Sequence, residues 1–189
     1  KLEQLNMELA KREARVAELE RMMARKDSAV KALKSTLQKA LLGFENNGLS
    51  IEQRNGKVYV SLDESLLFAS GSATVNPKGT DVLKKLGKVL EENEDIQILV
   101  EGHTDNVPYK GSGQLKDNWD LSVMRATSVV KIITSNSKVD PKRLTAAGRS
   151  EYLPLEKANT KEARQKNRRT EIILAPNLDE LYKLINEEG

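Results

Sequence analysis

The sequence predicts an α+β fold of two layers, a β-sheet with helices on one face, preceded by one long helix. Two observations predict it. The first 42 residues contain a heptad repeat of apolar residues with no proline or glycine. In the residues that follow, segments whose apolar residues recur at the spacing of a β-strand alternate with segments whose apolar residues recur at the spacing of a helix. A length of 189 residues suits one domain with an extension. We therefore divide the chain into a coiled-coil helix, residues 1–44, and a folded domain, residues 45–189.

The heptad repeat places apolar side chains along one side of the first helix. One seam position holds Leu2, Leu9, Val16, Met23, Val30 and Leu37, and the other holds Leu5, Arg12, Leu19, Lys26, Leu33 and Ala40. Such a seam is typical of a parallel coiled-coil homodimer, in which the helix acts as a spacer or dimeriser. The pattern leaves open a long helix folded back on its own domain. A DNA-binding leucine zipper does not fit, because basic residues are interspersed with glutamates instead of forming one block.

The domain is predicted to begin with a hairpin. Asn55-Gly56 separates two short strand-like runs within residues 51–62, and this dipeptide is a strong signal for a tight turn. Residues 66–75 are predicted to form a loop or short strand anchored by Phe68. Residues 78–93 carry apolar side chains at helical spacing and are predicted to form a helix.

The rest of the chain alternates between segments with strand spacing and segments with helical spacing of apolar residues. Asn159, with Glu162 in capping-box spacing, is predicted to open a helix. In chain order, the predicted elements are a strand at 96–102, a helix at 121–133, a strand at 144–147, a helix at 160–167, a strand at 170–174 and a short amphipathic helix at 178–185.

Composition excludes several classes of site. The chain has no cysteine, which removes disulfides, thiolate metal sites and cysteine nucleophiles. A net charge of +3 permits nucleic acid without implying it, and we predict no nucleic-acid partner. No run approaches the ~20 apolar residues of a membrane span. Because the chain begins with Lys1, we expect a membrane attachment on a missing N-terminal segment.

The sequence gives little support for a catalytic site or a metal site. His103 is the single histidine, and a zinc site needs three or four ligands, so we predict no metal and no cofactor. On one extended strand Glu101 and Asp105 would stand ~13 Å apart, which is wider than the ~5–9.5 Å of paired glycosidase carboxylates. No serine lies in a nucleophile elbow, and no glycine-rich phosphate loop is present. We predict a protein that is not an enzyme, with His103 as a packing residue.

Arg125 is the residue that points to a ligand. Successive helical residues are ~100° apart, which places Arg125 between Ile132 and Val129 inside the apolar stripe of its helix. A guanidinium facing the core needs an anion, because a stranded buried charge costs about 3–5 kcal/mol. The anion can be internal, with Asp105 or Glu171 as partner, or it can belong to a ligand.

The neighbouring residues favour a zwitterionic ligand. Asp105 lies just past a strand, and Asn118 and Asp120 mark the start of the Arg125 helix, where free backbone N–H groups can hold a carboxylate. A pocket with Asp105 on one side and Arg125 with the helix N-terminus on the other would take an amino-acid headgroup. Its ammonium would bind Asp105 and its carboxylate the arginine fork.

Several motifs resemble the OmpA-like peptidoglycan-associated domain. They are FASGSATVNPKGTDVLKKL, GHTDNVP, NWDLSVMRATSVV, VDPKRLTAAGRSEYLP and NRRTEI, which follow the family's order, and the resemblance covers roughly residues 58–174. The resemblance implies a mixed sheet with helices on one face that binds the diaminopimelate of peptidoglycan stem peptides without hydrolysing it. It assigns ligand contacts to Asp105 and Arg125 and adds Asn118. Thr104, Leu121 and Arg168 complete the candidate site, with Arg168 left open between ligand contact and ion pair.

The resemblance also implies a setting. We expect a dimeric, membrane-attached stalk that anchors to the cell wall, in the periplasm and associated with the outer membrane. Residues 107–117, VPYKGSGQLKD, form a longer insert than in many members and resemble flagellar stator B subunits and some outer-membrane lipoproteins. The alternative is therefore a stator-like or secretion-assembly subunit whose coiled coil mediates dimerisation or partner binding.

Overall fold

The computed structural model describes residues 1–111 and 113–187, and its centre is a five-stranded mixed sheet. The strands are β1 (Leu49–Arg54), β2 (Lys57–Asp63), β3 (Ile96–His103), β4 (Leu144–Gly148) and β5 (Arg169–Pro176), in the spatial order β1-β2-β5-β3-β4. Only β3 and β4 run parallel; the other neighbours are antiparallel. The helices are α1 (Leu2–Ala40), α2 (Glu64–Leu67), α3 (Pro77–Glu91), α4 (Asn118–Asn136), α5 (Lys161–Asn167) and α6 (Asp179–Asn186). The predicted α+β class is confirmed.

Helix α1 is continuous over 39 residues, a length of about 60 Å. It forms because no proline or glycine interrupts it, and the chain leaves the helix through Gly43, which has a positive φ of 97°. Its two halves differ in their surroundings. The first half is largely exposed, whereas Val30, Leu33 and Leu37 in the second half are buried in the core of the domain.

This packing divides the predicted coiled-coil seam. Val30, Leu33 and Leu37 contact their own domain, so they are not available to a second chain. The fold-back alternative therefore describes the C-terminal part of α1, and the coiled coil stays a prediction for the part before Met22. The division at residue 44 stays a prediction as well, and residues 112, 188 and 189 of the second segment lie outside the described part of the chain.

The hairpin forms as predicted. Asn55 and Gly56, both with positive φ, join β1 to β2 in antiparallel register. The next segment is more structured than the sequence indicates, because α2 follows β2 directly. Phe68 is buried and pairs through its backbone with Val75 in an isolated β-bridge.

Helix α4 lies directly on the sheet at two glycines. Gly102 and Gly148 are partners in the β3–β4 register, and both face the turn of α4 that contains Ser122. A Cβ atom at Gly102 would overlap the carbonyl oxygen of Ser122, and one at Gly148 would overlap its hydroxyl group and Val123. The close approach brings the start of α4 to the C-terminal end of β3, where Asp105 lies.

The N-terminal cap of α5 differs from the prediction. Thr160, rather than Asn159, caps the helix, and its side chain accepts a hydrogen bond of 3.1 Å from the amide of Ala163. Both residues suit a cap, and local sequence does not separate adjacent capping residues. The side chain of Asn159 instead accepts from Arg164 and Asn106.

The two faces of the sheet differ in chemistry. Helices α3, α4 and the second half of α1 pack on one face, where Val60, Val100 and Ile172 belong to a continuous apolar core. The opposite face carries buried polar side chains at the ends of β3 and β5. The loop after β4 covers these ends, since Arg169 donates a hydrogen bond to the Leu153 carbonyl.

The C-terminal helix forms as the sequence predicts. Helix α6 follows β5 and lies near α1, where the Arg15 side chain donates to the carbonyl of Leu184. Among the described residues, no helix combines the length and the apolar character that crossing a membrane requires.

Candidate functional site

An open cavity of about 540 Å³ lies where β3 ends and α4 begins. It is lined by Glu64, Ser70, Gly71, Thr104, Asp105, Val107, Pro108, Tyr109, Asn118, Leu121, Arg125, Lys161, Arg164 and Arg168. The structure thus brings together all six residues of the predicted site, which come from three separate motifs. Their role in binding a ligand stays a prediction.

Arg125 reaches the cavity from the second turn of α4 and is only 3% exposed. Its Nε donates to the Ser72 carbonyl at 2.8 Å, and Nη2 donates to Oε1 of Glu64 at 2.6 Å. The guanidinium also lies 4.9 Å from the centre of the Phe68 ring. Within the described residues, its Nη1 makes no hydrogen bond and is not enclosed, so two N–H groups remain open to the cavity.

The internal anion of Arg125 is Glu64, and not Asp105 or Glu171, the two partners that the sequence suggested. The requirement for an anion could be predicted from helical periodicity, but the partner could not. Glu64 lies 61 residues earlier in the chain, in α2, which the sequence placed at the edge of a loop. The signal that could have found it is the acidic pair Asp63-Glu64 at the end of the second strand of the hairpin.

Arg168 joins the acidic residues of the site. Its Nε lies 2.6 Å from Oε2 of Glu64, and its Nη1 donates to Oδ2 of Asp105 at 2.7 Å. Burial by itself would lower the pKa of Arg168, but the hydrogen bonds and charges of Asp105 and Glu64 raise it above its usual value. Arg125, Glu64, Arg168 and Asp105 therefore form a chain of alternating charge, which we call the cavity network.

Asp105 and Arg125 line the same cavity without being bonded to each other. Asp105 is 8% exposed, and its Oδ1 accepts a hydrogen bond of 3.0 Å from the Val107 amide while Oδ2 accepts from Arg168. Each of the two charges is satisfied by a different internal partner. The open space between the two ends of the network is the volume available to a ligand.

Asn118, Thr104 and Leu121 shape the wall beside Asp105. The Asn118 amide donates to the Val107 carbonyl at 3.0 Å, and the Thr104 hydroxyl donates to the Asp105 carbonyl at 3.0 Å. Leu121 adds a buried apolar side chain. Asn118 and Thr104 thus position the backbone that carries the Asp105 carboxylate.

The start of α4 is less open than predicted. Asp117 caps the helix, since its side chain accepts a hydrogen bond of 2.9 Å from the amide of Asp120. The helix N-terminus therefore already holds a carboxylate of the protein. Positive charge on the cavity wall comes from arginine and lysine side chains instead.

Sequence reasoning missed three further lining residues. Lys161 and Arg164 project from α5, and Tyr109 from the insert donates a hydrogen bond of 3.2 Å to the Gly71 carbonyl. With them the lining carries four cationic side chains against two carboxylates. The insert, which the sequence left without a role, supplies one wall through residues 107–109.

His103 belongs to a second network on the opposite face of the sheet. Its Nε2 lies 2.9 Å from Oε1 of Glu101 and 4.0 Å from Oε2 of Glu171. Arg149 contacts Glu101 at 3.2 Å, and Arg169 contacts Glu171 at 2.8 Å. We call Glu101, His103, Arg149, Arg169 and Glu171 the far-face network.

The far-face network shows why Glu101 and Asp105 do not form a catalytic pair. Glu101 faces away from the cavity, and only Asp105 lines it. The hydrogen bond from His103 holds the pKa of Glu101 below its usual value; Arg149 acts in the same direction and burial opposes both. Glu101 is therefore held as a carboxylate within an internal ion pair.

Three potential metal ligands meet in this network, which the sequence did not suggest. Ligand atoms of Glu101, His103 and Glu171 lie within 4.8 Å of one another. Both carboxylates are already neutralised by Arg149 and Arg169, so a divalent cation would add uncompensated buried charge. The arrangement suits an internal ion-pair cluster better than a metal centre.

Comparison with known proteins agrees with the motifs. The sequence pattern that defines the OmpA family matches residues 67–168, more than half of the chain. The chain belongs to the OmpA family. The resemblance drawn from the motifs is confirmed, and the match includes the cavity residues from Ser70 to Arg168.

Similar sequences to this OmpA-family chain include a motility protein and a probable lipoprotein. Motility protein B of Bacillus subtilis (strain 168) is 38% identical over 117 residues, which cover 62% of this chain and 44% of that protein. The probable lipoprotein YiaD of Escherichia coli (strain K12) is 31% identical over 133 residues, 70% of this chain and 58% of that protein. The chain spans about half the length of the curated relatives it matches.

A solved structure shares the fold. The cell wall anchor of the T6SS from Pseudomonas aeruginosa superposes with a TM-score of 0.67 at 30% sequence identity, covering 75% of this chain and 97% of that one. The mixed sheet and its helices are thus the architecture of a known cell wall anchor.

Proposed function

We propose that this chain binds peptidoglycan without cleaving it, by holding the diaminopimelate headgroup of a stem peptide in the cavity. The observation that carries the proposal is the cavity network, whose positive and negative ends face one open space of about 540 Å³. An amino-acid headgroup carries one carboxylate and one ammonium, so it matches both ends of the network at once.

The free donors of Arg125 define where the ligand carboxylate binds. The Nη1 group of Arg125 is open to the cavity while Nε and Nη2 are held by Ser72 and Glu64. The guanidinium is therefore fixed in position before the ligand arrives, which reduces the entropy lost on binding. The carboxylate would accept the remaining N–H groups.

Asp105 defines where the ammonium binds. Its carboxylate accepts one hydrogen bond from Arg168 and one from the Val107 amide, and two oxygens offer about four acceptor positions. The ammonium would use the remaining positions. Both cavity carboxylates are paired with arginine, an arrangement that suits holding charge and not transferring a proton.

The first experiment is sedimentation with purified sacculi. Asp105→Ala and Arg125→Ala should each weaken binding roughly tenfold or more, because a charge-assisted hydrogen bond contributes about 1.5–3 kcal/mol. Arg54→Ala, on the exposed turn of the hairpin, is the matched control and should sediment like the parent. Circular dichroism of each variant separates loss of binding from loss of folding. Folded Asp105 and Arg125 variants that sediment like the parent would contradict the proposed site.

A second experiment tests the charge pairing directly. Calorimetric titration with a stem peptide should show binding that weakens when the diaminopimelate amine is acylated or its carboxylate is amidated, since each change removes one charge. Equal affinities for the free and the blocked peptides would reject the zwitterion account.

We further propose that the chain anchors a dimeric, membrane-attached stalk in the periplasm, associated with the outer membrane. The exposed part of the α1 seam supports dimerisation: Leu2, Leu5, Leu9 and Val16 are between 53% and 75% exposed. A parallel partner would cover these side chains over ~30 Å of helix before Met22. A cell wall anchor and a probable lipoprotein among the relatives support an envelope location and a lipid or membrane attachment.

The absence of cysteine makes the dimer testable by cross-linking. Leu9→Cys places a thiol on the seam and should form an oxidised dimer, whereas Ala14→Cys faces away from the seam and should not. Equal cross-linking of the two variants, or of neither, would argue against a parallel dimer.

A second candidate is a stator-like or secretion-assembly subunit, in which α1 mediates assembly and the cavity only holds the subunit to the wall. The relative named motility protein B favours it at 38% identity. A stator subunit needs a membrane helix with an ionisable residue ahead of α1. The gene sequence upstream of residue 1 would distinguish the two.

A further inference from the structure

Two aromatic rings lie exposed and paired beside the cavity. Trp119 is 48% exposed and Tyr152 is 64% exposed, and their ring centroids are 5.5 Å apart at an interplanar angle of 34°. The chain contains a single tryptophan, and aromatics make up only 4% of its residues. Aromatic surface of this kind is normally buried, and an exposed contiguous patch is typical of a binding surface.

The pair is held in place by the backbone around it. Trp119 lies in the first turn of α4, where its carbonyl accepts a hydrogen bond of 2.9 Å from the Ser122 hydroxyl. The same hydroxyl oxygen accepts a hydrogen bond of 3.1 Å from the amide of Ser150, which is 3% exposed. The Tyr152 amide in turn donates to the Arg149 carbonyl at 3.2 Å. Ser122 thus links the two segments that carry the rings, and the pair is preorganised.

The backbone segments that carry the two rings adjoin the lining of the cavity. Trp119 follows Asn118, which lines the cavity, so their Cα atoms are about 3.8 Å apart. Thr104 lines the cavity as well, and its amide donates to the Ser150 carbonyl at 2.9 Å. A ligand that fills the cavity beside Asn118 and extends out over the start of α4 would therefore approach the segments that carry the two rings.

We propose that Trp119 and Tyr152 form a stacking platform for a sugar ring of the glycan strand whose stem peptide occupies the cavity. The proposal rests on the proposed function and extends it from the peptide to the saccharide. A pyranose ring has an apolar C–H face, and the C–H groups are weakly positive, as the face of an aromatic ring is weakly negative. Stacking of this kind orients a sugar without a buried charge.

The length of the ligand agrees with this placement. Diaminopimelate is the third residue of the stem peptide, so about two residues separate it from the sugar, a reach of roughly 7–10 Å in an extended chain. A headgroup in the cavity and a sugar on the rings can therefore belong to one molecule. Two weak contacts on one ligand strengthen each other because the second is intramolecular.

The test compares two ligands with the same peptide. Calorimetry is carried out with a free stem tripeptide and with the same tripeptide attached to its disaccharide. The parent should bind the disaccharide-peptide roughly fivefold to tenfold more tightly. In Trp119→Ala and Tyr152→Ala the two affinities should converge, and Trp119→Phe should retain part of the difference. Tyr182→Ala, an exposed tyrosine on α6, is the matched control and should behave as the parent.

Fluorescence gives a second readout, because Trp119 is the single tryptophan. Its emission should shift with the disaccharide-peptide and remain unchanged with the free tripeptide. A parent that binds both ligands equally, with no difference in emission, would overturn the platform and leave peptide binding standing; a protein partner would then be the occupant of the rings. If Trp119→Ala weakens both ligands in parallel, the residue is structural and the platform is equally overturned. If the parent binds neither ligand, the proposed function itself fails.

Discussion

The cavity network and the far-face network are built from the same residue types on opposite faces of one sheet end. Neighbouring residues divide between them: Arg168 faces the cavity, and Arg169 faces the opposite side. The cavity network keeps two N–H groups of Arg125 open beside a volume of about 540 Å³. In the far-face network each carboxylate is matched by an arginine, and the loop after β4 covers it.

The difference teaches what separates a binding site from a structural ion-pair cluster here. The two networks contain the same types of charged residue and are similarly buried: Arg125 is 3% exposed and Arg169 is 5% exposed. Only the cavity network has hydrogen-bond donors and acceptors without an internal partner that lie next to open space. Changes in the far-face network should therefore act on stability, and changes in the cavity network on ligand affinity.

The largest effect is expected from Glu171→Ala. It leaves the guanidinium of Arg169 buried without its carboxylate, and breaking a buried pair lowers the free energy of unfolding by about 3–5 kcal/mol. Urea denaturation measures the loss. Glu156→Ala removes an exposed pair with Lys166 and should change stability by no more than about 1 kcal/mol. Similar losses in the two variants would show that the far-face network is not a buried pair in energetic terms.

A smaller effect, measured as a loss of affinity in the folded protein, is expected from Arg125→Lys. Lysine keeps the charge near Glu64 but lacks the fork that holds a carboxylate, so stem-peptide affinity should fall roughly tenfold, about 1.4 kcal/mol. Arg143→Lys is the contrasting variant, because Arg143 is buried and donates to three backbone carbonyls away from the cavity. It should lower stability and leave affinity unchanged. Unchanged affinity in Arg125→Lys, or a loss of affinity in Arg143→Lys, would contradict the proposed ligand contact of Arg125.

The smallest effect is expected in the acid range from Glu101→Gln. The pKa of Glu101 is lowered in the folded state, so its contribution to stability is present above its unfolded pKa, near pH 4.3, and is lost as pH falls through the folded value. Glu101→Gln keeps a hydrogen-bonding oxygen and should lower stability at pH 7 by about 0.5–1 kcal/mol, and its stability should fall less than that of the parent below about pH 4.3. Parallel stability curves for parent and variant would show that Glu101 is not linked to acid unfolding.

The elements of the domain could be predicted because their signals are local. The Asn55-Gly56 turn, the apolar period of α3 and the alternation along β3 each depend on neighbouring residues. Local signals also predicted the key residue of the site, since helical geometry places Arg125 inside the apolar stripe of α4. Asp105 and Asn118 followed from their positions at the end of a strand and the start of a helix. The other three site residues came with the family resemblance, and the structure gathers all six around one cavity.

What could not be predicted depends on contacts between distant segments. Glu64 reaches Arg125 across 61 residues, and Glu171 approaches His103 only when β3 and β5 pair. Trp119 and Tyr152 likewise meet only because Ser122 and Ser150 are bonded. No local pattern specifies such partners.

Helix α1 separates the two kinds of information most clearly. Its heptads specify a continuous helix with one apolar side, since periodicity follows from the order of residues in the chain. They do not specify what covers that side, because a second helix and the body of the same domain bury apolar surface equally well. Tertiary packing decided that Val30, Leu33 and Leu37 join the domain core, while Leu2, Leu5 and Leu9 stay exposed.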